Sequence, residues 1–332
     1  MTNIQEKNLV LQKNVKYVIK KINSTYPYIL PYYSSFEEIS KFSNDNYIYN
    51  KFDFFTSREN FLKFSDSVKK DLTKCNNFKL LTGGVHVSLT TTWSIGTGHG
   101  YAQLYDILIN LKKTYKNFQD EKYKFLVYKN SQKGIKEIIN YFIPSNRIIY
   151  LDHEVIYKID NFLHLDGDKC NLMDNIDHRF HNSLIPFFEE NYYGKFNISK
   201  PIYKKICIAK HDKSLSISDN RSFNFLKIKD FCKLNDYYMV DHLTMSMPEI
   251  IYLINNCQEL LLSWGTSFFN HYIYISDKCK VINNFILENS SYHLREYKNM
   301  GDYYKTNLNR LRNADIKYYV VDKDLTNNPL TI

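Results

Sequence analysis

Between residues 79 and 283, short apolar runs rich in β-branched residues alternate with segments of helical spacing, and the alternation starts afresh near residue 205. Strand, helix, strand in repetition buries its apolar faces by laying parallel strands side by side under covering helices. The first series predicts strands at 86–93, 124–128 and 147–151. Its helices are expected over a stretch with Leu104, Ile107, Leu108 and Leu111 on one face, and over 134–142. The second predicts strands at 205–209, 237–241, 259–263 and 280–283, and helices at 223–234, 248–255 and 268–275. Pro248 stands near the start of its helix, where a missing N–H costs nothing. The fold class expected is therefore α/β, with two Rossmann-like, doubly wound halves and a ligand cleft between them.

A chain of 332 residues suits two domains of moderate size. Residues 1–78 are expected as a helical extension on the first domain, with helices at 10–22 and 58–72. Residues 79–200 then form the first Rossmann-like domain and 201–300 the second. Residues 301–332 are expected as a tail packing back on the body, and the Asn-, Gly- and Lys-rich stretch 191–201 as the connection between halves.

The stretch 259–270 reads Glu-Leu-Leu-Leu-Ser-Trp-Gly-Thr-Ser-Phe-Phe-Asn. A buried run stops at small residues, and helical spacing resumes from Phe268. That order predicts free N–H groups of Gly265, Thr266 and Ser267 at a helix N-terminus, above the carboxyl end of a parallel strand. Unpaired donors and the helix dipole favour an anion there, phosphate above all. In the first half, Gly-Thr-Gly-His-Gly at 96–100 also follows a strand and precedes a helix. It has neither the full dinucleotide fingerprint nor the Lys-Ser/Thr of a P-loop. His99 at its tip is a candidate general base, because imidazole as a group titrates near neutral pH. Asp106, in the following helix, is the second candidate.

Lys210 follows the first strand of the second half, and Arg221 and Asn224 stand at the start of the next helix. Cations at the carboxyl edge of a sheet suit a pyrophosphate. Asp166-Gly-Asp168 could hold Mg or Mn against a diphosphate, although Asp-Gly is also an ordinary turn. Net charge is +9 with Lys scattered along the chain, which favours anionic small partners without marking a nucleic-acid module. The six cysteines form no Cys-x-x-Cys pair, so free thiols and no structural zinc are expected. The chain begins polar and has no apolar run of 18 residues, hence the expectation of a soluble, cytoplasmic protein with no membrane span.

Taken together these residues resemble glycosyltransferase family 61. His99 with Asp106 and Leu108 is similar to one family element, and Ile208, Ala209 and Lys210 followed by Arg221 and Asn224 to a second. Met247, Pro248 and Glu249, then Gly265, Thr266, Ser267 and Asn270, are similar to a third. The likeness runs from about residue 95 to 285. It implies a GT-B-like architecture and an inverting transfer from a UDP-sugar to a hydroxyl of a glycan or glycoprotein, with no obligatory metal. It also implies His99 or Asp106 as the base, and Lys210, Arg221, Asn224, Gly265, Thr266, Ser267 and Asn270 around the donor. The chain departs from the family pattern at Trp264 (His in the family), Thr266 (Ala), Lys210 (Arg) and Phe225 (Glu). Those departures imply the alternative, a degenerate transferase fold serving as a binding or scaffold protein. A metal-dependent sugar transferase centred on Asp166 and Asp168 is a third reading.

Overall fold

The computed structural model of the chain describes residues 9–21, 29–33, 76–90, 120–165, 201–209, 223–241, 244–263, 274–288 and 313–326, with isolated positions among 63–70, 104–111 and at His271. Two compact units, Met1–Asn175 and Ile176–Ile332, divide the chain. The division falls earlier than the 191–201 connection expected from composition. Each unit carries its own sheet of mainly parallel strands, so the molecule is a mixed α/β protein.

In the first unit the sheet runs β2 (Ile29–Tyr33), β1 (Leu9–Lys21), β7 (Tyr157–Leu165), β4 (Val85–Ser88), β5 (Tyr123–Tyr128), β6 (Ile148–Leu151). A further short strand, β3 (Lys79–Leu81), lies beside β7. Strands β7, β4, β5 and β6 are mutually parallel, and α1 (Lys133–Phe142) connects β5 to β6. Helical backbone at Leu104, Tyr105, Ile107, Leu108 and Leu111 precedes β5, and all five side chains are buried. The face expected from spacing is therefore the face that packs.

Residues 10–21, of the helix expected at 10–22, are not helical. They belong to β1, which runs antiparallel to both β7 and β2 and extends the sheet. The expected helical extension is thus partly sheet, while Lys63, Asp66, Ser67 and Lys70 in the 58–72 window do have helical backbone. Asn14 has φ 55°, and beyond it Val15, Tyr17, Val18 and Ile19 are all buried. Burial on both faces replaces the two-residue alternation that would have marked a strand. Val15, Tyr17 and Ile19 enter one core with Leu126, Tyr128, Leu151, Ile159 and Phe162, and the Tyr17 and Phe162 rings lie 5.4 Å apart.

Both β3 and β4 pair with β7, the first at Tyr157–Ile159 and the second at Phe162 and Leu163. The step between them is made by Gly83 (φ 74°) and Gly84 (φ 89°), a conformation that a β-carbon opposes. Asn161 braces the step by donating to the Gly84 carbonyl at 3.2 Å.

Burial pushes the Tyr17 hydroxyl up to about 12, against the smaller lowering effect of bonds to Ser88 and Thr90. The unfolded phenol ionises near pH 10, so the folded state holds its proton where the unfolded state has lost it. This contribution is complete below pH 10 and is lost as pH rises from 10 to 12, at up to about 1.4 kcal/mol per pH unit. Denaturant titrations at pH 9 to 12 should show that decline in the wild type and a shallower one in Tyr17→Phe. Equal slopes would contradict the assignment.

The second unit has an all-parallel sheet in the order β12 (Asp315–Val321), β11 (Val281–Leu287), β10 (Glu259–Ser263), β8 (Lys205–Ile208), β9 (Tyr238–Val240). Segment 315–321, expected within a tail, is its fifth strand, in register with all seven residues of β11. Helix α2 (Phe225–Leu234) joins β8 to β9, and α3 (Met247–Asn256) joins β9 to β10. Asn224 caps α2, its side chain accepting from the N–H groups of Leu226 and Lys227. A capping box opens α3: the Ser246 N–H donates to Glu249 at 2.7 Å, and the Ser246 hydroxyl accepts from the Glu249 N–H. The core on the α2 side joins Ile228, Phe231 and Cys232 to Cys207, Leu261, Phe285, Leu287 and Val321. Right-handed crossovers that leave in opposite directions put α2 and α3 on opposite faces.

Candidate functional site

Read in chain order, the strands of the second unit stand second, first, third, fourth, fifth across the sheet. The chain moves from β8 outward to β9, then returns to the other side of β8 to lay down β10. Strands β8 and β10 are therefore neighbours whose following segments depart in opposite directions, and they pair in register from Lys205 opposite Glu259 to Ile208 opposite Leu262. In open α/β sheets the crevice outside the carboxyl ends of such a pair is where ligands bind. At the described carboxyl ends of this pair stand small residues, Ala209 and Ser263, both buried.

Both anion-binding candidates leave this pair. Lys210 is the residue after Ala209, and Gly265, Thr266 and Ser267 follow β10 by one residue. Their own positions, with those of Arg221, Trp264 and Asn270, lie outside the described residues. Asn224 is described and serves the fold: besides capping α2 it donates to Asp324 at 2.8 Å, and its N–H donates to the Lys323 carbonyl at 3.0 Å. It fixes the start of α2 against the turn that follows β12.

The first unit has an analogous reversal. Strands β4, β5 and β6 succeed one another outward, and β7 lies on the other side of β4. The Gly96–Gly100 segment follows β4, and Asp166 and Asp168 follow β7. His99, Asp106, Asp166 and Asp168 also lie outside the described residues. At the described end of β4, Ser88 and Thr90 are buried, with Ser88 Oγ 3.4 Å from the Tyr17 hydroxyl and Thr90 donating to the Leu126 carbonyl at 3.4 Å.

One polar cluster was not anticipated from the sequence. Near the amino end of the second sheet, Tyr237 donates to Glu259 through a very short hydrogen bond. Asn283 donates to the Tyr237 oxygen at 3.0 Å and to Glu259 at 2.9 Å. Lys205 lies 3.7 Å from Glu259 and over the Tyr237 ring. Burial first, and the Glu259 carboxylate second, raise the Tyr237 hydroxyl far above the usual phenol range, so it stays a donor. Lys205 and Glu259 open their strands, so the cluster stands away from the carboxyl edge of the sheet and ties β8, β10 and β11 together. Its members are scattered over the sequence, and only the strand register brings them together.

Among the described residues no group of three or more His, Cys, Asp or Glu is arranged to hold a metal ion. Nor, among them, is any helix long and apolar enough to cross a membrane. No protein-family model matches the chain, and a search of curated proteins gives no match.

Proposed function

We propose that the chain is an inverting glycosyltransferase of GT-B-like build, moving a sugar from a UDP-sugar to a hydroxyl of a glycan or glycoprotein. The observation that carries this reading is the reversal at β8 and β10, with the Lys210 segment leaving one strand and the Gly265–Ser267 turn leaving the other. A departing nucleoside diphosphate develops negative charge, which cations and fixed N–H groups stabilise at the moment of transfer. In this scheme Lys210 and Arg221 hold the diphosphate, with the N–H groups of residues 265–267 and the Thr266 hydroxyl. Asn224 orients α2 beneath them, and Asn270 fixes the turn or reaches the nucleotide. His99 or Asp106 takes the proton from the acceptor hydroxyl. No metal is required, so chelation should leave turnover intact. Turnover that depends on Mn would shift the reading to Asp166 and Asp168.

UDP should raise the unfolding midpoint of the purified protein by mass action. Arg221→Ala should weaken donor binding by roughly tenfold to a hundredfold, as expected for loss of a charged hydrogen bond. If neither UDP nor any UDP-sugar shifts the midpoint, the transferase reading falls. The second reading, a binding protein on the same fold, is favoured by Trp264 standing in the donor turn where the resembling family carries His. Sugar transfer or donor hydrolysis above background excludes it.

A further inference from the structure

The described cysteines of the second unit, Cys207, Cys232, Cys257 and Cys279, are all free and buried, and they fall into two pairs. Cys207 on β8 and Cys232 on α2 share the central core. Cys257 closes α3, and Cys279 stands two residues before β11. The β10–β11 register begins at Glu259 opposite Val281, and the Gln258 carbonyl accepts from the N–H groups of Lys280 and Val281. Continued back by two residues, it sets Cys257 beside Cys279 on neighbouring parallel segments. Adjacent strands lie about 4.8 Å apart, within the Cα separation a disulfide spans. We propose that Cys257 and Cys279 are a redox-active dithiol that closes to a disulfide in the folded protein, while Cys207 and Cys232 stay reduced.

All four thiols are equally buried, so selectivity follows from what must move to uncover each pair. Gln258, Asp277, Lys278 and Lys280, which flank the first pair, are all exposed, so parting these short segments at the amino edge of the sheet uncovers it. Cys207 and Cys232 lie between the sheet and α2 among Phe231, Leu261 and Phe285, and exposing them requires α2 to lift. Thiols in the first pair are held in place by bonds to carbonyls, Cys257 to Ile254 at 3.3 Å and Cys279 to Val281 at 3.4 Å. A hydrogen bond with Cys279, followed by burial, raises the Cys257 thiol, so thiolate is scarce at neutral pH and closure is slow. With a small-molecule disulfide as oxidant, one thiolate displaces a thiol to give a mixed disulfide. The second thiolate then displaces the other thiol, so two small thiols leave carrying the two protons that the cysteines gave up. This inference does not depend on the transferase reading.

The test uses the full chain, folded, incubated with oxidised glutathione, alkylated, digested and weighed. The expected product is a single 257–279 crosslink with Cys207 and Cys232 alkylated only after denaturation. Cys279→Ala should abolish it, and Cys207→Ala should leave its yield unchanged. Oxidation should also raise the thermal midpoint by roughly 5 °C, reversed by dithiothreitol, because the closed loop restricts the unfolded chain. Stable mixed disulfides without closure, a crosslink at Cys207, or thiols unchanged until the protein unfolds would each overturn the proposal. Should Cys279→Ala fail to fold, the crosslink map of the wild type decides alone.

Discussion

Gly84→Ala should destabilise the first unit by at least about 3 kcal/mol, among the largest losses expected of any single methyl group. Two costs add. At φ 89° a side chain is strained by roughly 1–2 kcal/mol, and the new β-carbon would overlap the carbonyl oxygen of Lys122. That oxygen cannot move freely, because it accepts the Val85 N–H at 2.7 Å and so begins the β4–β5 ladder. Gly83→Ala is the matched control: its φ is 74°, but nothing stands within 4 Å of the added atom. It should cost only about 1 kcal/mol. Urea unfolding of both variants checks the difference, and equal small losses would show that the step between β3 and β4 relaxes easily.

Phe285→Ala should cost about 3–5 kcal/mol in the second unit, the range for emptying an aromatic site in a packed core. The ring is fully buried and meets Phe231 edge-on at 5.2 Å, with Phe223 and Tyr319 just over 6 Å away. It stands on β11, which β10 and β12 flank, so nothing nearby can close the void without bending the sheet. Leu234→Ala, at a position 79% exposed on α2, should be nearly neutral. Because the chain divides into two units, the loss should show as an early transition of one unit, followed by calorimetry. A single unshifted transition would contradict it.

The parts of the fold legible in the sequence were those where one physical signal dominates. Residues 260–262 form an unbroken apolar run closed by Ser263, as a strand buried on both faces does. Around α3, Pro248 marked the start, and the helix begins at Met247 behind the Ser246–Glu249 box. Two departures have different causes. In β1, burial on both sides and the turn of backbone at Asn14 gave spacings that mimic a helix. In β12, alternation is confined to 315–318, and the partner strand is fixed only by the sheet. For the candidate site, spacing named which segments leave the sheet edge. Which strands are neighbours, and hence that the Lys210 and Gly265 segments start side by side, came from strand order alone.

Strand β12 has a bearing on how the protein is made. Of the described strands of its sheet it leaves the ribosome after the other four, and until then β11 carries an open row of backbone groups beside buried Phe285 and Leu287. A nascent chain held at this stage is sticky by construction, since uncovered strand edges invite foreign pairing. Demand for chaperone help at this sheet edge should therefore fall once Val321 has cleared the exit tunnel.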